Sequence, residues 1–180
     1  MTFQPRPATF QDVAAIYDLY REVARRSGGI ARKEEEITME YIEENLEKAL
    51  ATGFCFVIEH PENTAEVIAE IHCRPLGPRA FRHVLGELTI AIHPDFQGKG
   101  VGKTIFSQLL DVIRRTRPDI YRVELVTSEF NVGGQALYQR LGFVVEGRME
   151  GRIQTRHGME ADIPMAWFNP NYVENKQVDQ

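Results

Sequence analysis

"HPDFQGKGVGKTIFSQLL", His93 to Leu110, joins an apolar run on its N-terminal side to an apolar helical repeat on its C-terminal side. Between the two lie Gly98, Gly100 and Gly102, with Lys99 and Lys103 interleaved. From Val101, apolar residues recur at Ile105, Leu109, Leu110 and Ile113, which is helical spacing. Small residues ahead of a helix let the backbone approach a diphosphate, and successive N–H groups backed by the helix dipole bind the anion. The lysines add charge at the rim. A glycine-rich turn that binds nothing has the same composition, so the surrounding sequence must decide.

Two familiar phosphate loops fail here. A P-loop needs a glycine where Gln97 stands, although Gly102, Lys103 and Thr104 fit its second half. No apolar strand ending in Asp follows to hold magnesium. The dinucleotide fingerprint matches Gly98 and Gly100 but meets Lys103 at its third glycine.

Outward from the loop, "VLGELTIAI" reads as the strand that feeds it, and "RPD" as the end of the helix that leaves it. Upstream, "ATFQDVAAIYDLYREVARR" predicts a helix capped by Thr9 with Asp12 three residues on. Val13, Ile16, Tyr17, Tyr20 and Val23 share its face. "ITMEYIEENLEKALATG" predicts a second helix, with Ile42, Leu46, Ala49 and Leu50 on one side and Gly53 as its stop. "FCFVIE" and "AEVIAEIHC" predict a hairpin about "HPENT". Downstream come a strand in "IYRVELVT" and a short helix in "VGGQALYQRLG". A final hairpin of "FVVEGRMEGRI" and "MEADIPMAW" turns at "TRHG". The order implies a mixed α/β fold, a mixed sheet covered by helices on both faces. Residues 1–168 read as one domain and 169–180 as a polar, loose tail.

The chain has 180 residues and 43% hydrophobic content, enough for a real core in one domain. A net charge of −5 argues against nonspecific nucleic-acid binding. Two cysteines give no disulfide framework. The five histidines have no metal-ligand spacing, so no metal is expected. No apolar stretch suits a leader or a membrane span, so the expected location is cytoplasmic, with no membrane partner.

"Gln97-Gly98-Lys99-Gly100-Val101-Gly102" matches Q/R-x-x-G-x-G/A, and "Asn131-Val132-Gly133-Gly134-Gln135-Ala136-Leu137-Tyr138-Gln139-Arg140-Leu141-Gly142-Phe143" follows N-x-x-A-x-x-L-Y-x-x-x-G-F. Gly134 stands at the alanine position. Together the two motifs resemble the GNAT superfamily of acetyl-CoA-dependent N-acetyltransferases, and the resemblance runs from Phe3 to Trp167. It implies a mostly antiparallel mixed sheet splayed between its fourth and fifth strands. It also implies that acetyl-CoA enters as co-substrate. Gln97, Gly98, Lys99, Gly100, Val101, Gly102 and Lys103 would bind the diphosphate. The backbone of Ile90, Ala91 and Ile92 would bind the pantetheine arm and stabilise the oxyanion, and Asn131 would contact the arm or cap its helix. Tyr138 matches the family's general acid, which protonates the departing thiolate; packing against the sheet is its plainer role.

Glu87 is the best candidate base. The alternation of "GELTIAI" puts Glu87, Thr89 and Ala91 on one face, and an exposed glutamate without a role is the equal alternative. Glu70 and Glu124 are weaker candidates. Glu34, Glu35 and Glu36 either attract a cationic acceptor or form a solvated run. The acceptor itself, a small-molecule amine or a peptide N-terminus, is not legible. The final hairpin is a candidate homodimer contact. A non-catalytic acyl-CoA-binding module and a P-loop-like phosphotransferase are the competing functions.

Overall fold

A computed structural model describes residues 2–26, 30–155 and 158–174. The centre of the "TRHG" turn, including His157, and the last six residues of the expected tail therefore lie outside the described residues. Among those described are four α-helices: α1 (Val13–Arg26), α2 (Met39–Thr52), α3 (Val101–Thr116) and α4 (Val132–Arg140). The described residues also form eight strands: β1 (Arg6–Pro7), β2 (Phe54–His60), β3 (Asn63–Pro75), β4 (Val84–Ile92), β5 (Arg122–Ser128), β6 (Val144–Val145), β7 (Met149–Thr155) and β8 (Gly158–Phe168). They form one mixed, mostly antiparallel sheet in the order β1-β2-β3-β4-β5-β8-β6, with β7 also paired to β8. The chain divides into two compact units. One comprises Met1–Arg74 and Leu88–Leu109, the other Pro75–Glu87 and Leu110–Gln180. Both β4 and α3 pass from one unit into the other.

In the first unit a short 3₁₀ turn, Phe10–Asp12, leads into α1. The Thr9 N–H and hydroxyl both donate to Asp12 Oδ2, at 2.7 and 3.2 Å. Arg6 grips the same carboxylate with two N–H groups, at 2.7 and 2.9 Å, and reaches Glu59 at 2.7 Å. That clasp seats the two-residue β1 on β2, with Arg6 opposite Val57 and Pro7 opposite Phe56. So short a strand has no periodicity by which the sequence alone could mark it. α1 buries Val13, Ile16, Leu19, Tyr20 and Val23. α2 starts at Thr38, whose hydroxyl oxygen accepts from the Tyr41 N–H at 3.1 Å. It buries Ile42, Leu46 and Ala49. Leu50, expected on that side, is exposed, because it sits at the edge of a stripe centred on the other three. These side chains pack with Cys55, Val57, Val67 and Ala91 into one core. Each large aliphatic member contributes about 1.5–3 kcal/mol by leaving water. β2 and β3 pair antiparallel, Cys55 opposite His72 and Val57 opposite Glu70.

In the second unit the start of β4 pairs parallel with β5, Val84 opposite Arg122 and Leu85 opposite Val123. β8 runs antiparallel to β5 from Arg122↔Phe168 to Ser128↔Asp162. The stretch expected as one arm of the final hairpin is two strands. β6 pairs with β8 at Ala166 and Met165, and β7 pairs with it between Asp162 and Gly158. An eleven-residue β8 has length for both partners, and the chain breaks step at residues 146–148 between them.

Residues 169–174 are not loose. The Asn169 side-chain amide donates to the carbonyls of Arg117 and Ile120 at 3.1 and 3.0 Å, Val173 N–H to Pro118 O at 2.8 Å, and Tyr172 packs on Tyr121. A polar segment reads as tail in composition, yet its amides serve the carbonyls left open after α3.

Candidate active site

The loop lies wholly in the first unit. At the end of β4, Ala91 is buried and Ile90 and Ile92 are half-buried. His93 N–H donates to Ile68 O at 2.8 Å, fixing the strand end. Pro94–Phe96 form a 3₁₀ turn, in which His93 Nδ1 accepts from the Asp95 N–H at 3.2 Å. The Gln97 side chain donates to Ile92 O at 3.1 Å, so this residue closes the turn.

Gly98 and Gly100 then take φ of +72° and +86°, left-handed values that suit glycine, with no heavy atom within 4 Å of where a Cβ would stand. Val101 and Gly102 are buried at the start of α3, and Lys103 is exposed. Thr104 is the first residue whose N–H finds a protein acceptor, Gly100 O at 3.0 Å. Among the described residues, the N–H groups of Gly98, Lys99, Gly100, Val101, Gly102 and Lys103 have no protein acceptor. Donors left open at the start of a sixteen-residue helix, with open space at Gly98 and Gly100, can hold a phosphate group.

The other expected site residues belong to the second unit. Glu87 has φ +48°, the one positive value among described non-glycine residues. Such a conformation costs on the order of 1–3 kcal/mol and gathers at functional sites. It also corrects the expected alternation: the left-handed backbone breaks the two-residue period, leaving Glu87 exposed and Ala91 buried.

Asn131 caps α4. Its Oδ1 accepts from the Gly134 N–H at 3.0 Å, and its Nδ2 donates to Thr127 Oγ1 at 2.9 Å. This arrangement explains Gly134 at the family's alanine position. A Cβ there would stand 2.4 Å from Asn131 Nδ2. Tyr138 is 6% exposed, its ring 6.1 Å from that of Phe143, and burial pushes its phenol above the ordinary value.

Of the weaker carboxylates, Glu70 is enclosed. Its Oε2 accepts from the Tyr20 hydroxyl at 2.6 Å, and its Oε1 accepts from the Cys55 thiol at 3.0 Å and contacts His72 Nδ1 at 2.8 Å. Three polar partners use this carboxylate structurally, a cluster that alternation alone did not reveal. Glu124 pairs with Arg122 at 3.0 Å. In the glutamate run, Glu34 pairs with Arg21 at 2.5 Å and Glu36 accepts from the Lys33 N–H at 2.8 Å, which are local contacts. Among the described residues no group of three or more His, Cys, Asp or Glu could hold a metal ion, and no helix is long and apolar enough to cross a membrane.

A glycine loop of open donors between β4 and α3, on a mixed sheet, is an arrangement that can seat a diphosphate. Residues 13–143 match the model of the Acetyltransferase (GNAT) family, and the chain belongs to that family. It is 36% identical over 83 residues to the L-amino acid N-acyltransferase MnaT of Escherichia coli (strain K12), and spans 46% of the length of that curated relative. The fold is shared with yncA of Salmonella typhimurium, solved with its cofactor acetyl-CoA: TM-score 0.84, 19% identity, 99% of this chain and 100% of that one. It is shared too with a GNAT superfamily phosphinothricin acetyltransferase from Sinorhizobium meliloti, solved in complex with acetyl-CoA: TM-score 0.85, 20% identity, covering 99% and 95%.

Proposed function

We propose that this chain is an acetyl-CoA-dependent N-acetyltransferase that moves an acetyl group to a primary amine by direct attack on the thioester. The observation that carries the reading is the set of unpaired N–H groups over residues 98–103, with Gly98 and Gly100 in left-handed conformation. The diphosphate of coenzyme A meets those donors, with Lys99 and Lys103 at the rim. The backbone of Ile90, Ala91 and Ile92 takes the pantetheine amides and steadies the developing oxyanion. Glu87, exposed, draws the ammonium proton through water so that a neutral amine attacks. Tyr138 gives its proton to the leaving thiolate; a phenol kept protonated by burial can do so at neutral pH. Asn131 acts by holding the start of α4. The acceptor class supported by the MnaT likeness is a small amine of the amino-acid type, ahead of a protein N-terminus.

Titration of the chain with coenzyme A, and a screen of amines for acetyl-dependent thiol release, test the proposal. Binding in the micromolar range and amine-dependent release are expected. Binding without release from any amine would leave an acyl-CoA-binding module, and no binding would remove the reading.

A further inference from the structure

Asp95 lies in the turn that delivers the chain to Gly98, and its side chain is 60% exposed. A carboxylate beside an anion-binding loop works against that loop: it repels the diphosphate and competes for Lys99, whose charge it feels. Arg26, in the last turn of α1, meets it. Nη2 stands 2.7 Å from Oδ1 and Nη1 3.3 Å from Oδ2, while Nη1 also reaches Glu22 at 3.1 Å. The guanidinium holds the Asp95 carboxyl below its usual range, so the carboxylate is ionised at neutral pH and its charge must be balanced there. The backbone N–H of Asp95 donates to His93 Nδ1 at 3.2 Å, a bond that does not depend on the carboxylate.

We infer that Arg26 is a positioning residue that cancels the charge of Asp95, so that the loop over residues 98–103 presents a positive potential to the diphosphate. The inference rests on the coenzyme A reading above. A shield and a plain tether differ in their consequences. A tether is lost equally from either end. A shield is needed only while Asp95 is charged.

Calorimetry on the whole chain with coenzyme A, and with pantetheine as a probe lacking the diphosphate, separates them. Removing one surface counter-charge corresponds to about a threefold to tenfold change in affinity. Arg26→Gln is expected to weaken coenzyme A by that factor, and less so at high salt. Asp95→Asn binds as well as the parent or more tightly, and the double variant returns to within about twofold of it. Arg26→Lys keeps the affinity, and pantetheine is indifferent to all four. Equal weakening by Arg26→Gln, Asp95→Asn and the double variant would overturn the shield in favour of a tether, and an unchanged Arg26→Gln would overturn the shield outright. Failure of the parent chain to bind coenzyme A would instead overturn the functional reading and this inference with it. Asp95→Asn keeps the test open even if Arg26→Gln folds poorly.

Discussion

Burial acts on Tyr138 in two ways. Burial fixes its ring beside Phe143, and the same burial keeps the proton on its oxygen. Tyr138→Phe keeps the ring and loses the donor. We expect kcat to fall about 10²–10⁴-fold with the apparent affinity for acetyl-CoA within about twofold, read from steady-state thiol release. In the proposed role the phenol must be protonated, and its pKa is raised by burial, so loss of activity from this group is expected above the ~10 of a free phenol.

Gly100 answers to conformation alone, since open space surrounds it. Gly100→Ala must hold φ near +86° at about 1–2 kcal/mol or turn its N–H away. The expected result is a tenfold or greater rise in the dissociation constant for coenzyme A, with a modest drop in melting temperature. Both residues stand at motif positions. Glu87 was legible as a carboxylate in a strand. Its left-handed backbone was not, because alternation assumes an unbroken pleat.

Helix α4 shows how two local terms set one sign. Asn131 is its N-cap, and such a cap contributes about 1 kcal/mol, with the bond to Thr127 added. Asn131→Ala should lower stability by about 1–2 kcal/mol in urea unfolding. Gly134→Ala gains about 1 kcal/mol of helix propensity. It also pushes Asn131 out of its place and forfeits a cap of similar size, so a net change within about 0.5 kcal/mol is expected. A clear gain would mean that Asn131 re-forms its cap around the new methyl. Helix boundaries were readable because caps and periods are short-range. The split of the last hairpin into β6 and β7 was not, since only the length of β8 offers two places to pair.

For the molecule as a whole, the buried and paired titratable groups bound a pH range of full stability. Arg6 lowers the pKa of Asp12, so its contribution is present above the unfolded value of ~3.9 and is lost as pH falls through the lower folded value. Burial raises Cys55 and Tyr20, so their contribution is complete below the unfolded values of ~8.5 and ~10 and is lost as pH rises toward the folded ones. Urea midpoints should therefore be level between about pH 5 and pH 8 and fall on either side. A midpoint still rising above pH 9 would contradict the burial of that thiol and phenol.

By itself the sequence determined where the glycine loop stands, the four helices, most strand limits and the family motifs, because each depends on φ preferences, periodicity and turn chemistry among near neighbours. Only the tertiary structure decided that Glu70 is enclosed by Tyr20, fifty residues away, that Arg26 meets Asp95 across sixty-nine, and that Asn169 closes the carbonyls of Arg117 and Ile120. Those pairings follow from strand register and helix placement. A charged or polar side chain carries no local mark of the distant partner that will desolvate or neutralise it.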